Sequence, residues 1–245
     1  MGFPPSTRRA AVTAAAVGLV GAVHTAPALL SISPGRWGRP LAGWGDPQRL
    51  ALTFDDGPNP DSTPCFLDAL RRHGVHATFF MLGCMAARSP ELCRSIAAAG
   101  HEVAIHGWTH RNFLLRGPAA TYTDLARTRA LLTRLTGQTP THFRPPYGVF
   151  STPALIAARS LGLRPVLWTC WGKDWTPSAT PHGVLDTLRP GLTGGATVLL
   201  HDSDDEQTPN AWRSTLAALP PLLDECARRG LRVGPLREHL LPSVS

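Results

Sequence analysis

The chain has 245 residues, of which 43% are hydrophobic and 17% charged. That balance supports a packed core and excludes a disordered chain, and the length suits one large domain or two small ones. The formal net charge is +7, carried almost wholly by arginine with Lys173 as the single lysine. The arginines are scattered rather than interleaved with aromatics in a stripe, which argues against nucleic acid as a partner. A weak attraction to anionic wall polymers is compatible with the charge.

The first segment, "STRRAAVTAAAVGLVGAVHTAPALL", sets Arg8 and Arg9 before an Ala/Val/Leu/Gly run that ends in small residues. This is the layout of an export signal with cleavage near Ala26 or Ala28; an uncleaved anchor is the alternative. Residues 1–32 are therefore read as signal or anchor. Residues 33–48, "SPGRWGRPLAGWGDPQ", read as a Gly/Pro-rich linker, and 49–245 as the folded domain. The protein is expected to be exported, either secreted, wall-associated or anchored by its N-terminal segment, and monomeric. Membrane contact is expected only through that segment. Cys65, Cys84, Cys93, Cys170 and Cys226 show no CxxC spacing. In an exported protein they allow one disulfide, with Cys84–Cys93 the candidate pair, and leave at least one odd thiol.

From Leu50 onward, short apolar runs alternate with amphipathic stretches. The runs are "LALTF", "ATFFML", "EVAIH", "HFRP", "RPVLWT", "ATVLLH" and "LRVGPL". Helical patterns lie near 63–73, 89–99, 121–136, 152–162 and 210–229. Ser89-Pro90 and Thr180-Pro181 supply helix starts, and Gly74, Gly100, Gly137, Gly162 and Gly230 supply stops. Strands alternating with helices predict one α/β domain with a parallel sheet, open or closed as a barrel. In such folds chemistry collects at the carboxyl ends of the strands.

Those ends carry unusual residues. The first strand runs into Asp55 and Asp56, two adjacent carboxylates that repel unless water or a cation accommodates them. A capped Asp-Asp-Gly-Pro turn is the alternative. The third strand ends in "HGWTH", whose His106 and His110 are spaced i, i+4. On a helical turn that spacing puts both imidazoles on one face, as zinc ligands require; two surface histidines are the alternative. A carboxylate with two imidazoles would leave coordination positions open, as catalytic metal sites do. The fourth strand ends in "FRPPYG", where the prolines stiffen the segment that aims Arg144. The fifth leads to "WTCWGKDW" with Asp174 between Lys173 and Trp175, tryptophans that suit a core or a sugar groove. "TVLLHD" ends in His201 and Asp202.

Taken together these residues resemble the polysaccharide deacetylase family, the NodB-homology or carbohydrate esterase 4 group, over about residues 48–240. "TFDDGP", "HGWTH", "RPPYG", the "DW" of "WGKDW" and "LLHD" match its five ordered motifs, and "ATFFMLG" and "GHE" are further similar stretches. The resemblance implies a distorted (β/α) barrel of about seven parallel strands. It also implies a divalent metal, zinc first with cobalt or manganese as alternatives, and hydrolysis of N-acetyl groups on amino-sugar polymers. Asp56, His106 and His110 would bind the metal. Asp55 would be the general base, paired with Arg144, and His201 the general acid, oriented by Asp174. Leu199 and Trp175 would flank the acetyl methyl, and the Tyr147 backbone amide would help hold the oxyanion. The chain departs from the family pattern at Gly107, where Ser or Thr is usual, at Ala104-Ile105 in place of a Gly-Asn pair, and at Trp171 and Lys173. The substrate would be peptidoglycan or a chitin-like chain; a small N-acylated molecule, or binding without turnover, are the rival readings.

Overall fold

The computed structural model describes residues 21–28, 41–204 and 208–239. Strand β1 (Arg49–Asp55) is buried from Leu50 to Asp55 and organises the sheet. Around it lie β2 (Thr78–Leu82), β3 (Glu102–Gly107), β4 (His142–Phe143), β5 (Arg164–Pro165), β6 (Cys170–Trp171), β7 (Thr197–His201) and β8 (Arg232–Gly234). The strands follow the order β5-β4-β3-β2-β1-β7-β6, with β8 beside β1, and every pairing is parallel. β8 pairs with Arg49–Ala51 and β2 with Thr53–Asp55, so the two share one edge of β1 while β7 runs along the other. Full burial of β1 to β3 explains why they read as continuous apolar runs.

The sheet has to curl. β5 and β6 stand at opposite ends of the strand order, yet the chain from Pro165 to Cys170 can reach at most about 18 Å. Seven strands laid flat would hold those ends roughly 29 Å apart. The result is a part-closed barrel whose two ends are linked by one short crossing, matching the expected (β/α) architecture.

Among the described residues eight helices follow β1 in the chain and surround the sheet: α1 (Thr63–Arg72), α2 (Gly83–Arg88), α3 (Pro90–Ala98), α4 (Pro118–Thr136), α5 (Thr152–Ser160), α6 (Pro181–Leu188), α7 (Ala211–Arg228) and α8 (Leu236–His239). The start signals work as read at α6, where the Thr180 hydroxyl accepts from Gly183 N at 3.1 Å. Gly137, at φ 72°, stops α4 in a left-handed conformation that costs glycine little. Phe54 meets Phe66 and Phe79 at 5.2 Å between ring centres and ties β1 to α1 and β2.

The structure corrects the sequence reading in places. "RPVLWT" is not one strand: only Arg164–Pro165 pairs with β4, and a separate two-residue strand, β6, forms beyond it. Helix α2 was not expected, and α4 begins three residues early, at Pro118. None of the five cysteines is in a disulfide. Cys93 lies buried with its Sγ toward the Ala86 carbonyl, and burial pushes its thiol up to about 12. Residues 41–48 lie against the barrel, with Gly45 N donating to Gly195 O at 3.0 Å and Leu41 O accepting from Leu167 N. Residues 21–28 are helical, with the His24 ring 3.0 Å from the Leu114 carbonyl. The remainder of the expected signal and of the linker, residues 1–20 and 29–40, lies outside the described residues. Among the described residues no helix is long and apolar enough to cross a membrane.

Candidate active site

Because every strand is parallel, the ends of β1, β3, β4, β6 and β7 deliver their residues to one mouth of the barrel. Asp55 closes β1 directly beside His201, which closes β7. Asp56 follows at φ 78°, an unusual conformation for a non-glycine residue and of the kind found at functional turns. Arg144, fully buried beyond β4, donates from Nη1 to Asp55 Oδ1 at 2.7 Å and to Thr53 Oγ1 at 2.8 Å. Its Nη2 donates to the Leu167 carbonyl at 2.7 Å, and the guanidinium lies 4.1 Å from the Phe80 ring centre. The Asp55 carboxylate is therefore held in one orientation by a buried, hydrogen-bonded partner.

His106 and His110 do come together, but not on a helical turn. His106 lies within β3 and His110 in the bend that follows, which turns at Gly107 with φ 111°. His106 Nδ1 donates to the Arg144 carbonyl at 2.9 Å, which directs Nε2 toward Asp56 Oδ1 at 3.2 Å. His110 Nε2 stands 3.5 Å from the same oxygen. With its Nδ1 proton given to Arg144, His106 turns a lone pair toward this carboxylate, and the two repel unless a proton or a cation stands between them. The three ligand atoms all lie within 4.8 Å of one another. Burial pushes His110 down to about 4 despite nearby Asp56, so its imidazole is neutral at ordinary pH. Burial alone would raise Asp56; the hydrogen bond and charge of His106, with the charge of His201, outweigh it and hold the carboxyl well below the usual range. One carboxylate and two imidazoles converging in this way could hold a divalent metal.

The loop carrying His110 lacks the expected hydroxyl at Gly107, and a different group steadies it. Asp124, on α4, accepts from Trp108 N at 2.7 Å and pairs with Arg116, which also donates to Thr109 Oγ1 at 2.8 Å.

On the β7 side, His201 Nδ1 bonds Asp174 Oδ1 at 2.9 Å. Asp174 Oδ2 accepts from His201 N and Thr215 Oγ1, both at 2.8 Å. Burial would lower His201, but the charge and hydrogen bond of Asp174, with Asp56 and Asp55, carry it up to about 9, so it is protonated at neutral pH. Asp202 is different: burial pushes it up to about 7, and it accepts from Thr63 Oγ1 on α1. A Cβ at Gly57 would meet Asp202 Oδ2 at 2.4 Å, so that turn requires glycine. Asp202 pins the mouth together.

A cavity of about 270 Å³ opens over these groups, with Asp55, His106, His110 and His201 in its wall. Tyr147, Trp175 and Leu199 line it, as do Gly148, Trp168 and Trp171. The indoles form a ladder, Trp168 to Trp171 at 5.7 Å and Trp171 to Trp175 at 5.0 Å, with Trp175 edge-on to His201 at 5.5 Å. Every residue expected at the site from sequence, except buried Asp56, Arg144 and Asp174, touches this cavity, and those three sit directly behind it. Thr53, Asp124 and Thr215 were missed, whereas Trp168 belongs to the tryptophans already read as suiting a core or a sugar groove. Thr53 was findable, since strand alternation puts it on the same face as Asp55; Asp124 and Thr215 arrive from distant helices and left no local signal.

The polysaccharide deacetylase family model matches residues 43–166. A chitooligosaccharide deacetylase of Bradyrhizobium sp. (strain ANU 289) is 38% identical over 198 residues, which cover 76% of this chain and 87% of the relative. The peptidoglycan-N-acetylglucosamine deacetylase PgdA of Listeria monocytogenes is 37% identical over 155 residues, 63% of this chain and only 32% of that longer protein. Among solved structures, the Bc1960 peptidoglycan N-acetylglucosamine deacetylase superposes with a TM-score of 0.77 at 27% identity, covering 85% of this chain and 97% of that one. The chain belongs to the polysaccharide deacetylase family, and so to the hydrolases.

Proposed function

We propose that the protein removes acetyl groups from N-acetylated amino-sugar polymers of the peptidoglycan or chitin type, outside the cytoplasm. The observation that carries this reading is the placement of an arginine-paired carboxylate, Asp55, and a protonated imidazole, His201, in the wall of one cleft beside the Asp56–His106–His110 cluster. Amide hydrolysis needs a polarised carbonyl, a nucleophilic water and a proton for a poor leaving group. A divalent cation, zinc by preference of the donor set, would be held by Asp56, His106 and His110 and would supply Lewis acidity for the carbonyl and the water.

The remaining roles belong to the chain's own groups. Asp55, paired with and aimed by Arg144, takes the proton from the attacking water. His201, charged and oriented by Asp174, gives a proton to the departing sugar nitrogen. Such paired acid–base work contributes roughly 10²–10⁴-fold per group. Leu199 and Trp175 hold the acetyl methyl, the Tyr147 amide receives charge developing on the carbonyl oxygen, and the indole ladder presents flat apolar faces to sugar rings. A binding protein without turnover would have no use for both members of this acid–base pair.

The test is acetate release by the full-length protein from peptidoglycan, chitin oligomers and a small N-acetylhexosamine, with and without added zinc. Metal-dependent release from a polymer, lost in Asp55→Asn and His201→Ala, is expected. Release from the small sugar alone would overturn the polymer assignment, and no release from any of the three at full metal occupancy would overturn the enzyme reading.

A further inference from the structure

The active-site cleft is not the end of the groove. A second hollow of about 650 Å³ adjoins it and is lined by His110, Arg111, Asn112, Leu115, Arg116 and Tyr147. His110 and Tyr147 also line the first cavity, so the two hollows adjoin at the Tyr147 ring. That ring is 61% exposed and packs on His110 at 4.5 Å between centres. A joint volume of this order suits an elongated ligand better than a single small one.

The chemistry of the hollow is one-sided. Among the described residues no carboxylate lines it. Arg116 is neutralised by Asp124, but Arg111 is exposed and, among the described residues, its guanidinium makes no hydrogen bond or ion pair. Next to it Leu115 is 87% exposed among the described residues, an apolar side chain open to a ligand. An unpaired planar cation beside an apolar patch is suited to a sugar that carries a carboxylate, since the guanidinium matches carboxylate geometry and the side chain covers ring C–H groups.

Resting on the deacetylase reading above, we infer that this hollow is a subsite for the sugar next to the one being deacetylated, and that Arg111 selects a neighbour bearing a carboxylate. The substrate class is then an anionic glycan in which N-acetylated sugars alternate with acid-bearing ones, rather than a neutral chitin-like chain.

The experiment measures KM and kcat of the zinc-loaded full-length protein on peptide-free peptidoglycan glycan strands and on chitin oligomers of equal length. Arg111→Ala should raise the ratio of the two KM values, anionic over neutral, by about fivefold, the size expected of one partly exposed charge contact. Arg111→Glu should raise it further and Arg111→Lys should keep most of the preference. An unchanged ratio overturns the subsite. Calorimetric binding of both oligomers to Asp55→Asn protein, with and without Arg111→Ala and at low and high salt, separates this result from failure of the activity. If neither oligomer is turned over, the deacetylase reading fails; a salt-sensitive preference for the anionic strand that disappears with Arg111 still supports the subsite, and equal binding overturns it.

Discussion

Two buried carboxylate–imidazole pairs sit at opposite ends of the same barrel. At the mouth, Asp174 holds His201 at 2.9 Å; at the other end, where β3 and β4 begin, Glu102 Oε1 meets His142 Nδ1 at 2.7 Å. Glu102 is further tied by Thr78 Oγ1 and Arg237 N, each at 2.8 Å to Oε2. The local chemistry is nearly the same. What differs is the surroundings: His201 faces the cleft with charged Asp55 and Asp56 nearby, whereas His142 Nε2 is buried with no hydrogen-bond partner among the described residues. A carboxylate–histidine pair does acid–base work only where the second ring nitrogen can reach a substrate. The Glu102 pair instead clamps β2, β3, β4 and α8 together.

That contrast can be broken most sharply by activity. Asp55→Asn and His201→Ala should each lower kcat by roughly 10²–10⁴-fold while leaving the fold intact by circular dichroism. The double variant should cost far less than the product of the two, because the groups act on one transition state. Glu102→Gln should leave kcat unchanged; a comparable loss there would erase the distinction between the two ends.

The second effect is on proton affinity. Removing the Asp174 charge in Asp174→Asn should bring the His201 midpoint in the metal-free protein from about 9 toward its ordinary 6.5, as read by NMR titration. The sign follows from linkage: a raised pKa contributes stability in full below about 6.5, and that contribution is lost as pH rises through about 9. Asp174→Asn should therefore flatten the alkaline side of the stability profile.

The smallest effect belongs to the closed pair. Burial would raise Glu102, but His142, Arg237 N and Thr78 outweigh it and leave the carboxyl below its ordinary value. Its contribution is present above about 4.5 and lost as pH falls through the lower folded value. Glu102→Gln should cost about 1–3 kcal/mol at neutral pH and flatten the acid limb of a thermal-melting series. A variant as acid-sensitive as the parent would assign the acid limb to other carboxylates.

The site was more legible in the sequence than the fold around it. Asp55, Asp56, His106, His110, Arg144, Asp174 and His201 all sit at or just past strand ends, so strand patterning and short motifs were enough to collect them. The helical geometry expected for His106 and His110 was wrong because a strand end and a bend with left-handed Gly107 can bring the two rings together as well as a helical turn does. The division of "RPVLWT" was not legible either, since only the crossing of the barrel's open side decides where pairing stops and resumes.

By itself the sequence determined the alternation of strands and helices, the strand ends that bear chemistry and the residue types offered there, because these depend on neighbours within a few positions. Tertiary structure alone decided that Asp124 would steady the histidine loop, that Thr215 would tie Asp174, and that Asp202 would brace the turn at Gly57. Those outcomes depend on which distant elements the curled sheet brings into contact, and no local pattern in the chain encodes that distance.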